Sequence, residues 1–393
     1  MRIGIDARLF GPRVGGGGLG RYVEELVRHL ETLDHENNYV IFLRHENWDD
    51  YVPAARNFQK VLAPWRWYTI GEQLGMPRVI REAKIDLLHV PHFNVPIFAR
   101  VPFVVTIHDL ILLEFPSIRA STLDPIRFWL KYIAYRFTLW FAVRYSRHII
   151  TVSNASRNAL VKHFPGAALK TTAIPLGFTP QRPFVLTTPY SLPPTPYLIA
   201  VGNAFPHKNL DGLVQLFHGI IPAHPSLKLI LTGSDDAFRA TLREQVAKLG
   251  LNDRVLFTGF VNEEALDALY RNALGFVSAS LLEGFSFPGL EAQERGVPVI
   301  ASSIDTHREV FQDSACYFDP HDGSTFAAAI DHVTHDSALV ETLRSRGRVN
   351  YQRFPWTRTA TETLAIYRGA ISSHGKEKTK TQNPEANPSQ GPG

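Results

Sequence analysis

Short runs of aliphatic and β-branched residues recur along the chain, separated by longer stretches in which apolar positions return every three or four residues. In the first half the runs are Arg2–Ile5, Tyr39–Leu43, Leu87–Val90, Phe103–Ile107 and His148–Val152. In the second half they are Tyr197–Val201, Lys228–Thr232, Val255–Thr258, Leu274–Val277 and Pro298–Ala301. Between them, segments such as Arg21–Leu33, Asp211–His218, Ala237–Leu249 and Glu263–Arg271 carry helical spacing. Near-continuous apolar runs suit strands buried on both faces, and strand–helix alternation requires parallel pairing through crossover helices. The pattern predicts an α/β protein with two doubly wound sheets.

A break between the two sets is visible in proline. The stretch Pro175–Pro196 holds seven of the 27 prolines, and Pro193, Pro194 and Pro196 cannot continue a helix or enter a central strand. The expected domains are therefore 1–186 and 197–355, joined by a linker at 187–196. A last helical pattern follows Pro355 and is expected over 356–373. The tail 374–393 has no apolar residue larger than Ala and is expected to be disordered.

Composition agrees and narrows the class. A length of 393 residues suits two cores, and 45% hydrophobic with 20% charged residues excludes a mostly disordered chain. Cys316 is the single cysteine, so an internal disulfide or a cysteine zinc cluster is excluded and a reducing, cytoplasmic compartment is expected. Arg2 and Asp6 interrupt the apolar start, so no signal-peptide core is expected there. No apolar run is long enough to span a bilayer.

The formal charge of +4 is unevenly placed: Ile118–Arg147 carries +5 and the remainder −1. A general affinity for nucleic acid is therefore not implied. The basic segment is rich in aromatics, including Phe128, Trp129, Tyr132, Tyr135, Phe137, Trp140 and Phe141. At about 100° per residue, Arg127 and Lys131 lie about 40° apart, whereas Arg136 and Arg147 fall on nearly the opposite side. The charges do not form one stripe, so the first reading is a helix apolar around most of its girth because it is largely buried. The alternative is contact with an anionic membrane surface through 118–147, on the inner face of the plasma membrane, with Trp65, Arg66 and Trp67 as a second contact.

Candidate chemistry collects at strand ends. After Arg2–Ile5 comes a loop with Gly15, Gly16, Gly17, Gly18 and Gly20, where backbone amides at a helix start can meet a phosphate or sugar. It lacks the dinucleotide and Walker fingerprints, which leaves a nicotinamide oxidoreductase unsupported. His108 and Asp109 end the run Phe103–Ile107, where an imidazole can hydrogen-bond a hydroxyl or phosphate and a carboxylate can orient it. Gly202 ends Tyr197–Val201, and His207 and Lys208 precede the next helix, a combination that favours a diphosphate. Glu283-Gly284-Phe285-Ser286-Phe287-Pro288-Gly289-Leu290-Glu291 places two carboxylates around a turn that presents successive amides to a polyhydroxylated ligand.

With GGGLGRY (Gly16–Tyr22), TIHDL (Thr106–Leu110), TVS (Thr151–Ser153), IPLG (Ile174–Gly177), VGNAFPHKN (Val201–Asn209), LTG (Leu231–Gly233) and EGFSFPGLE (Glu283–Glu291), the chain resembles the retaining GT-B glycosyltransferases of the group-1, family 4 type over about residues 1–370. The last motif matches that family's E-x7-E pattern in full. The resemblance implies two Rossmann-like domains facing a cleft, a nucleotide-sugar between them, a final helix crossing back to the first domain, and transfer with retention of configuration. It assigns Gly17 and Gly18 to the cleft lining, His108 to the donor sugar near the reacting centre, and Lys208 to the diphosphate. Gly202 and His207 accompany Lys208. Glu283 with the amides of Gly284, Phe285, Ser286 and Phe287 would hold sugar hydroxyls, and Glu291 the ribose. The family usually carries arginine before the lysine; here His207 replaces it, which weakens the diphosphate charge or makes it pH-dependent.

The expected protein is a hexosyltransferase acting on a glycan or lipid-linked acceptor in cell-surface polysaccharide synthesis, with GDP-mannose as first choice of donor. The alternatives are a UDP-hexose-dependent transferase, a GT-B sugar-nucleotide epimerase and a non-catalytic sugar- or lipid-binding protein. No cofactor and no metal are expected, since the nucleotide-sugar is itself a substrate and no DxD occurs.

Overall fold

A computed structural model of the chain describes residues 1–116, 125–180, Pro193 and 196–381. Strands β1 (Arg2–Asp6), β2 (Asn38–Leu43), β3 (Phe58–Leu62), β4 (Leu87–Val90), β5 (Phe103–Ile107), β6 (His148–Thr151) and β7 (Thr171–Ala173) form the first sheet, in the order β3-β2-β1-β4-β5-β6-β7. Strands β8 (Tyr197–Val201), β9 (Lys228–Thr232), β10 (Val255–Gly259), β11 (Gly275–Ser278), β12 (Val299–Ser302) and β13 (Ala315–Phe318) form the second, in the order β10-β9-β8-β11-β12-β13. Adjacent strands pair in parallel throughout both sheets. Helices cover both faces, so the central strands are buried on each side and show no polar alternation.

The pattern of apolar runs does not reveal β3, β7 and β13, and each is an edge strand. Edge strands are half covered, so β3 tolerates Gln59 and Lys60, and β7 is only Thr171–Ala173. The linker placed at 187–196 lies outside the described residues except for Pro193 and Pro196. The last helix spans Trp356–Thr381, so helix continues into the segment expected to be disordered from 374; the part of that segment after Thr381 lies outside the described residues.

This last helix packs on the helix Gly17–Leu33 of the first domain. Its start explains the IPLG motif: a Cβ on Gly177 would lie 2.2 Å from the Trp356 ring, so only glycine admits the indole. The Phe178 amide donates to the Phe354 carbonyl (2.6 Å), and the Thr359 hydroxyl donates to the Pro175 carbonyl (2.8 Å). One apolar cluster runs from Ile3, Tyr22 and Leu26 through Trp356 and Tyr367 to Phe285 and Leu290, joining both domains.

The basic helix, Pro125–Tyr145, departs from the reading of a buried girth. Phe128, Tyr132, Tyr135, Leu139, Ala142 and Val143 face the first-domain core, but Ile126, Trp129, Leu130, Ile133, Phe137 and Trp140 are 44–74% exposed. A helix lying on one sheet can bury only one stripe, which the count of apolar positions around its girth did not anticipate. The outward residues form an apolar stripe about 100° wide, with Arg127 and Lys131 along one edge and Arg136 along the other. Arg127, Lys131 and Arg136 thus border the apolar stripe, whereas Arg144 falls on its line at the end of the helix and Arg147 lies beyond it. Trp65 turns inward, its ring against Gly75, and Trp67 stacks under the Arg44 guanidinium (4.9 Å), so neither stands free as a second membrane contact. Among the described residues no helix is long and apolar enough to cross a membrane.

Candidate active site

In each sheet the strand order reverses beside its first strand, between β1 and β4 and between β8 and β11. Crevices at such switch points, at the carboxyl ends of the strands, are where open α/β sheets bind ligands. The glycine loop follows β1, Gly202 to Lys208 follow β8, and Glu283 to Glu291 follow β11. Topology therefore brings three segments distant in sequence to one cleft.

In the glycine loop, Gly20 is required by close approach, since a Cβ there would lie 2.1 Å from the Gly11 carbonyl oxygen. Gly16, at φ 71°, starts the helix Gly17–Leu33 without a side-chain cap, which leaves its first amides to the cleft. Gly17 faces open space, and Gly18 lies 3.7 Å, measured from its Cβ position, from the Phe287 ring of the other domain. One turn on, Arg21 crosses the cleft to Glu291 (3.5 Å).

His108 sits just beyond β5, its ring edge-on to Tyr22 (4.9 Å between centroids). Its Nε2 lies 3.0 Å from the Pro91 carbonyl, which can only accept, so Nε2 carries the proton and Nδ1 is left as an acceptor. The orienting group is thus Pro91; Asp109, given that task on sequence grounds, instead accepts from the Ile111 amide (3.0 Å). Burial holds the His108 imidazole down, to about 4, against the pull of the Pro91 carbonyl. At neutral pH this ring is uncharged. Beneath it, His89 bridges the Tyr367 hydroxyl (2.6 Å) and the Thr106 hydroxyl (2.8 Å), and Tyr22 meets the same Thr106 (3.0 Å).

On the opposite wall, Lys208 and Glu283 meet each other at 2.6 Å. The Ser280 hydroxyl also donates to Glu283 (2.8 Å), and the Glu283 carbonyl accepts from Thr306 (2.7 Å). Burial pushes the Glu283 carboxyl up, but Lys208, His307 and the Ser280 hydroxyl outweigh it and hold it below its usual range. His207 is pressed down to about 4 by burial and by Lys208, against Glu283, so it adds no charge at neutral pH where the family's arginine would. Lys208 closes a short turn that ends at Asn209, itself left-handed (φ 52°), before the helix Leu210–Ile220.

After Glu283 the chain is unusually constrained. A Cβ at Gly284 would lie 2.6 Å from the His108 carbonyl oxygen, so here the two domains touch backbone to backbone. Ser286 takes φ 119°, a conformation that ordinary side chains avoid, and begins the helix Phe287–Glu294 without a side-chain cap. Its free amide donors border a small cavity lined by Gly202, Lys208, Ser280, Glu283, Ser286 and Pro288. Phe285 is buried between Phe287 and Phe354, anchoring the turn. Glu291 lies one turn into the helix, held by Arg21 and by the Tyr270 hydroxyl (3.4 Å).

His108 and Glu283 to Phe287 thus meet across the cleft, Gly18 reaches Phe287, and Gly202 lies behind Lys208. Sequence reasoning missed Arg21, Tyr270, Ser280, Thr306 and the His89 network. Arg21 stands inside the quoted glycine motif and His89 inside an otherwise apolar strand, so both left a trace. Thr306 lies in the first turn of the helix Asp305–Phe311, far from Glu283 in sequence, and left none.

Comparison with known proteins agrees with this fold. The sequence model for Glycosyl transferases group 1 matches residues 191–350, and that for Glycosyltransferase Family 4 matches residues 16–182. The chain belongs to the group-1, family 4 glycosyltransferases and has the GT-B fold. It is similar to O-antigen chain mannosyltransferase B of Escherichia coli, 27% identical over 375 residues that cover 89% of this chain and 96% of the relative. It is 25% identical over 272 residues to the O-antigen chain mannosyltransferase RfbU of Salmonella typhimurium, covering 69% and 71% of the two chains. Among solved structures, sucrose-phosphate synthase from Thermosynechococcus elongatus superposes with a TM-score of 0.72 at 20% identity, covering 95% of this chain and all of that one. WaaG, a glycosyltransferase involved in lipopolysaccharide biosynthesis, gives 0.67 at 15% identity, covering 93% and 99%.

Proposed function

We propose that the protein transfers mannose from GDP-mannose to a glycan or lipid-linked acceptor, with retention of configuration, in cell-surface polysaccharide synthesis. The observation that carries the transferase chemistry is the Lys208–Glu283 pair beside an uncapped helix start, facing His108 across the cleft. When the anomeric carbon–oxygen bond breaks, negative charge develops on the β-phosphate. Lys208, released from Glu283, and the amides after Gly284 are placed to stabilise that charge most in the transition state. Glu283, kept ionised, then accepts from sugar hydroxyls, and neutral His108 accepts at Nδ1. Reaction on one face, with the departing phosphate taking the acceptor proton, gives retention without a protein nucleophile.

The choice of mannose rests on the two O-antigen mannosyltransferases, one of which is matched over almost its whole length. UDP-hexose is the competing donor. A thermal-shift panel of GDP-mannose, UDP-glucose and UDP-galactose separates them, because a donor at 100 times its Kd stabilises by about 2.7 kcal/mol. GDP-mannose is expected to give the largest shift, and a shift with UDP-sugars alone overturns the assignment. Proton NMR of the product is expected to show the donor's α configuration, and a β product removes retention. Release of GDP with acceptor present separates a transferase from a binder.

The same reading places the protein on an anionic membrane surface. The exposed stripe Ile126–Trp140 supplies the apolar face and Arg127, Lys131 and Arg136 the charged borders of an interfacial helix. The protein is expected to co-sediment with vesicles containing phosphatidylglycerol and to lose at least about tenfold in affinity when Arg127, Lys131 and Arg136 become Glu, given about 1 kcal/mol per basic residue. Equal binding to phosphatidylcholine vesicles, or unchanged binding of the variant, refutes recognition of anionic lipid, and no co-sedimentation with either vesicle refutes the membrane role.

A further inference from the structure

We propose that Tyr68 is the platform on which a sugar ring of the acceptor stacks, with His92 and Asp109 beside it for the hydroxyls. The proposal deepens the transferase reading above and rests on it only for the name of the ligand.

Tyr68 has φ 61°, a left-handed conformation that costs a bulky side chain about 1–2 kcal/mol. The surroundings impose it. The Tyr68 amide donates to Glu72 (2.8 Å), and Glu72 is itself fully buried, paired with Arg8 (2.6 Å) and bonded twice by the Asn94 side-chain amide (2.8 and 2.9 Å). Arg8 in turn pairs with Asp6 at the end of β1 (2.6 Å). A buried ionic network thus holds one backbone amide in a strained place.

Strain of this kind persists only where the surroundings over-determine it, and it collects at ligand sites. Here the tyrosine remains 65% exposed, so packing of its ring does not account for it. What the strain accomplishes is orientation. The hydroxyl reaches the His92 ring (3.5 Å), and Phe93 supports the tyrosine ring (6.0 Å) while resting edge-on against Tyr135 (4.8 Å).

The position is at the reacting cleft. His92 follows Pro91, whose carbonyl holds His108 (3.0 Å), and Asp109 follows His108 with its Cβ 3.4 Å from the Cβ position of Gly284 in the second domain. Burial first, and then the Glu72 and Asp109 carboxylates, push the Tyr68 hydroxyl up. An open aromatic face beside a carboxylate and an imidazole suits a pyranose, whose C–H face lies on the ring while its hydroxyls reach the polar groups. A donor anchored on Lys208 and Glu283 occupies the second-domain wall, so the ligand on the Tyr68 side is the acceptor.

The test exploits the strain. Tyr68→Gly removes the ring and also relieves the left-handed backbone, so a structural role and a binding role predict different results. Saturation-transfer NMR with a methyl mannobioside as probe is expected to show binding to the wild-type protein, at least tenfold weaker binding to Tyr68→Gly, and near wild-type binding to Tyr68→Phe. The melting temperature of Tyr68→Gly is expected to equal or exceed that of the wild type, and its thermal shift with GDP-mannose to be retained. Unchanged probe binding in Tyr68→Gly, or no probe binding to the wild type, overturns the platform. A lost GDP-mannose shift in Tyr68→Gly assigns the ring to the donor and also overturns it. Because probe binding needs no turnover, failure of the transferase reading appears separately, as absent GDP release by the wild type.

Discussion

Replacing Lys208 with Ala is expected to lower turnover by about 100-fold, within the range for removing one preorganised group that stabilises transition-state charge. Two effects add. The diphosphate loses its nearest cation, since His207 is neutral at physiological pH and cannot substitute. Glu283, now without its partner at 2.6 Å, keeps the Ser280 hydroxyl and the influence of His307, and burial pulls its carboxyl upward from where Lys208 held it. A Glu283 that protonates more readily accepts fewer sugar hydroxyls, so donor KM is expected to rise as kcat falls. Glu283→Gln is expected to lower turnover at least about tenfold, with a smaller loss of stability than Lys208→Ala, because it leaves no buried anion unpaired. Steady-state kinetics and thermal melts of both variants check this; unchanged turnover in the two removes the site.

The second large effect is expected from a single methyl group. Gly284→Ala places a Cβ 2.6 Å from the His108 carbonyl oxygen, a backbone atom that cannot step aside. The domains must part locally, and the amides of Gly284 to Phe287 retreat from His108. A misplacement of about 1 Å at a reacting centre costs about 100-fold in rate. Turnover is therefore expected to fall by about that factor, while each domain keeps its own core and the melting temperature changes little. Gly289→Ala serves as the contrast. Its Cβ would meet the Phe311 ring at 2.2 Å, inside one domain, so it should lower stability at least as much as activity. Near wild-type kcat in Gly284→Ala shows that the backbone contact is not part of the working geometry.

The candidate residues of the cleft left two kinds of mark in the sequence: the end of an apolar run, and a turn or motif just before a helix. Strand ends are marked by a change from continuous apolar residues to Gly, His or Glu, and the fold class says that ligands collect there. His108 and Gly202 were singled out by the strand end, Lys208 and Glu283 by the turn and motif that follow. Their partners were not, because hydrogen bonds between elements far apart in the chain leave no local pattern. Thr306 on Glu283, Pro91 on His108 and Tyr270 on Glu291 are of this kind. The tautomer of His108, which makes it an acceptor toward the sugar, follows from one such bond. Edge strands β3, β7 and β13 escaped for a related reason: half-covered strands need not be apolar on both faces.

The basic helix shows the same division most clearly. Its sequence established that a long apolar and aromatic helix lies in a segment whose net charge of +5 exceeds that of the whole chain, a matter of composition and period alone. Whether that apolar surface was core or outer face depended on which stripe met the sheet. Packing of Phe128, Tyr132, Tyr135 and Leu139 against the first domain settled that and left Ile133, Phe137 and Trp140 outside. Local chemistry is written residue by residue, and periodicity reads it directly. Opposition across a cleft, the partner of a buried carboxylate and the exposed side of a helix arise from contacts between segments far apart in the chain, and they exist only once the two sheets and the closing helix have packed together.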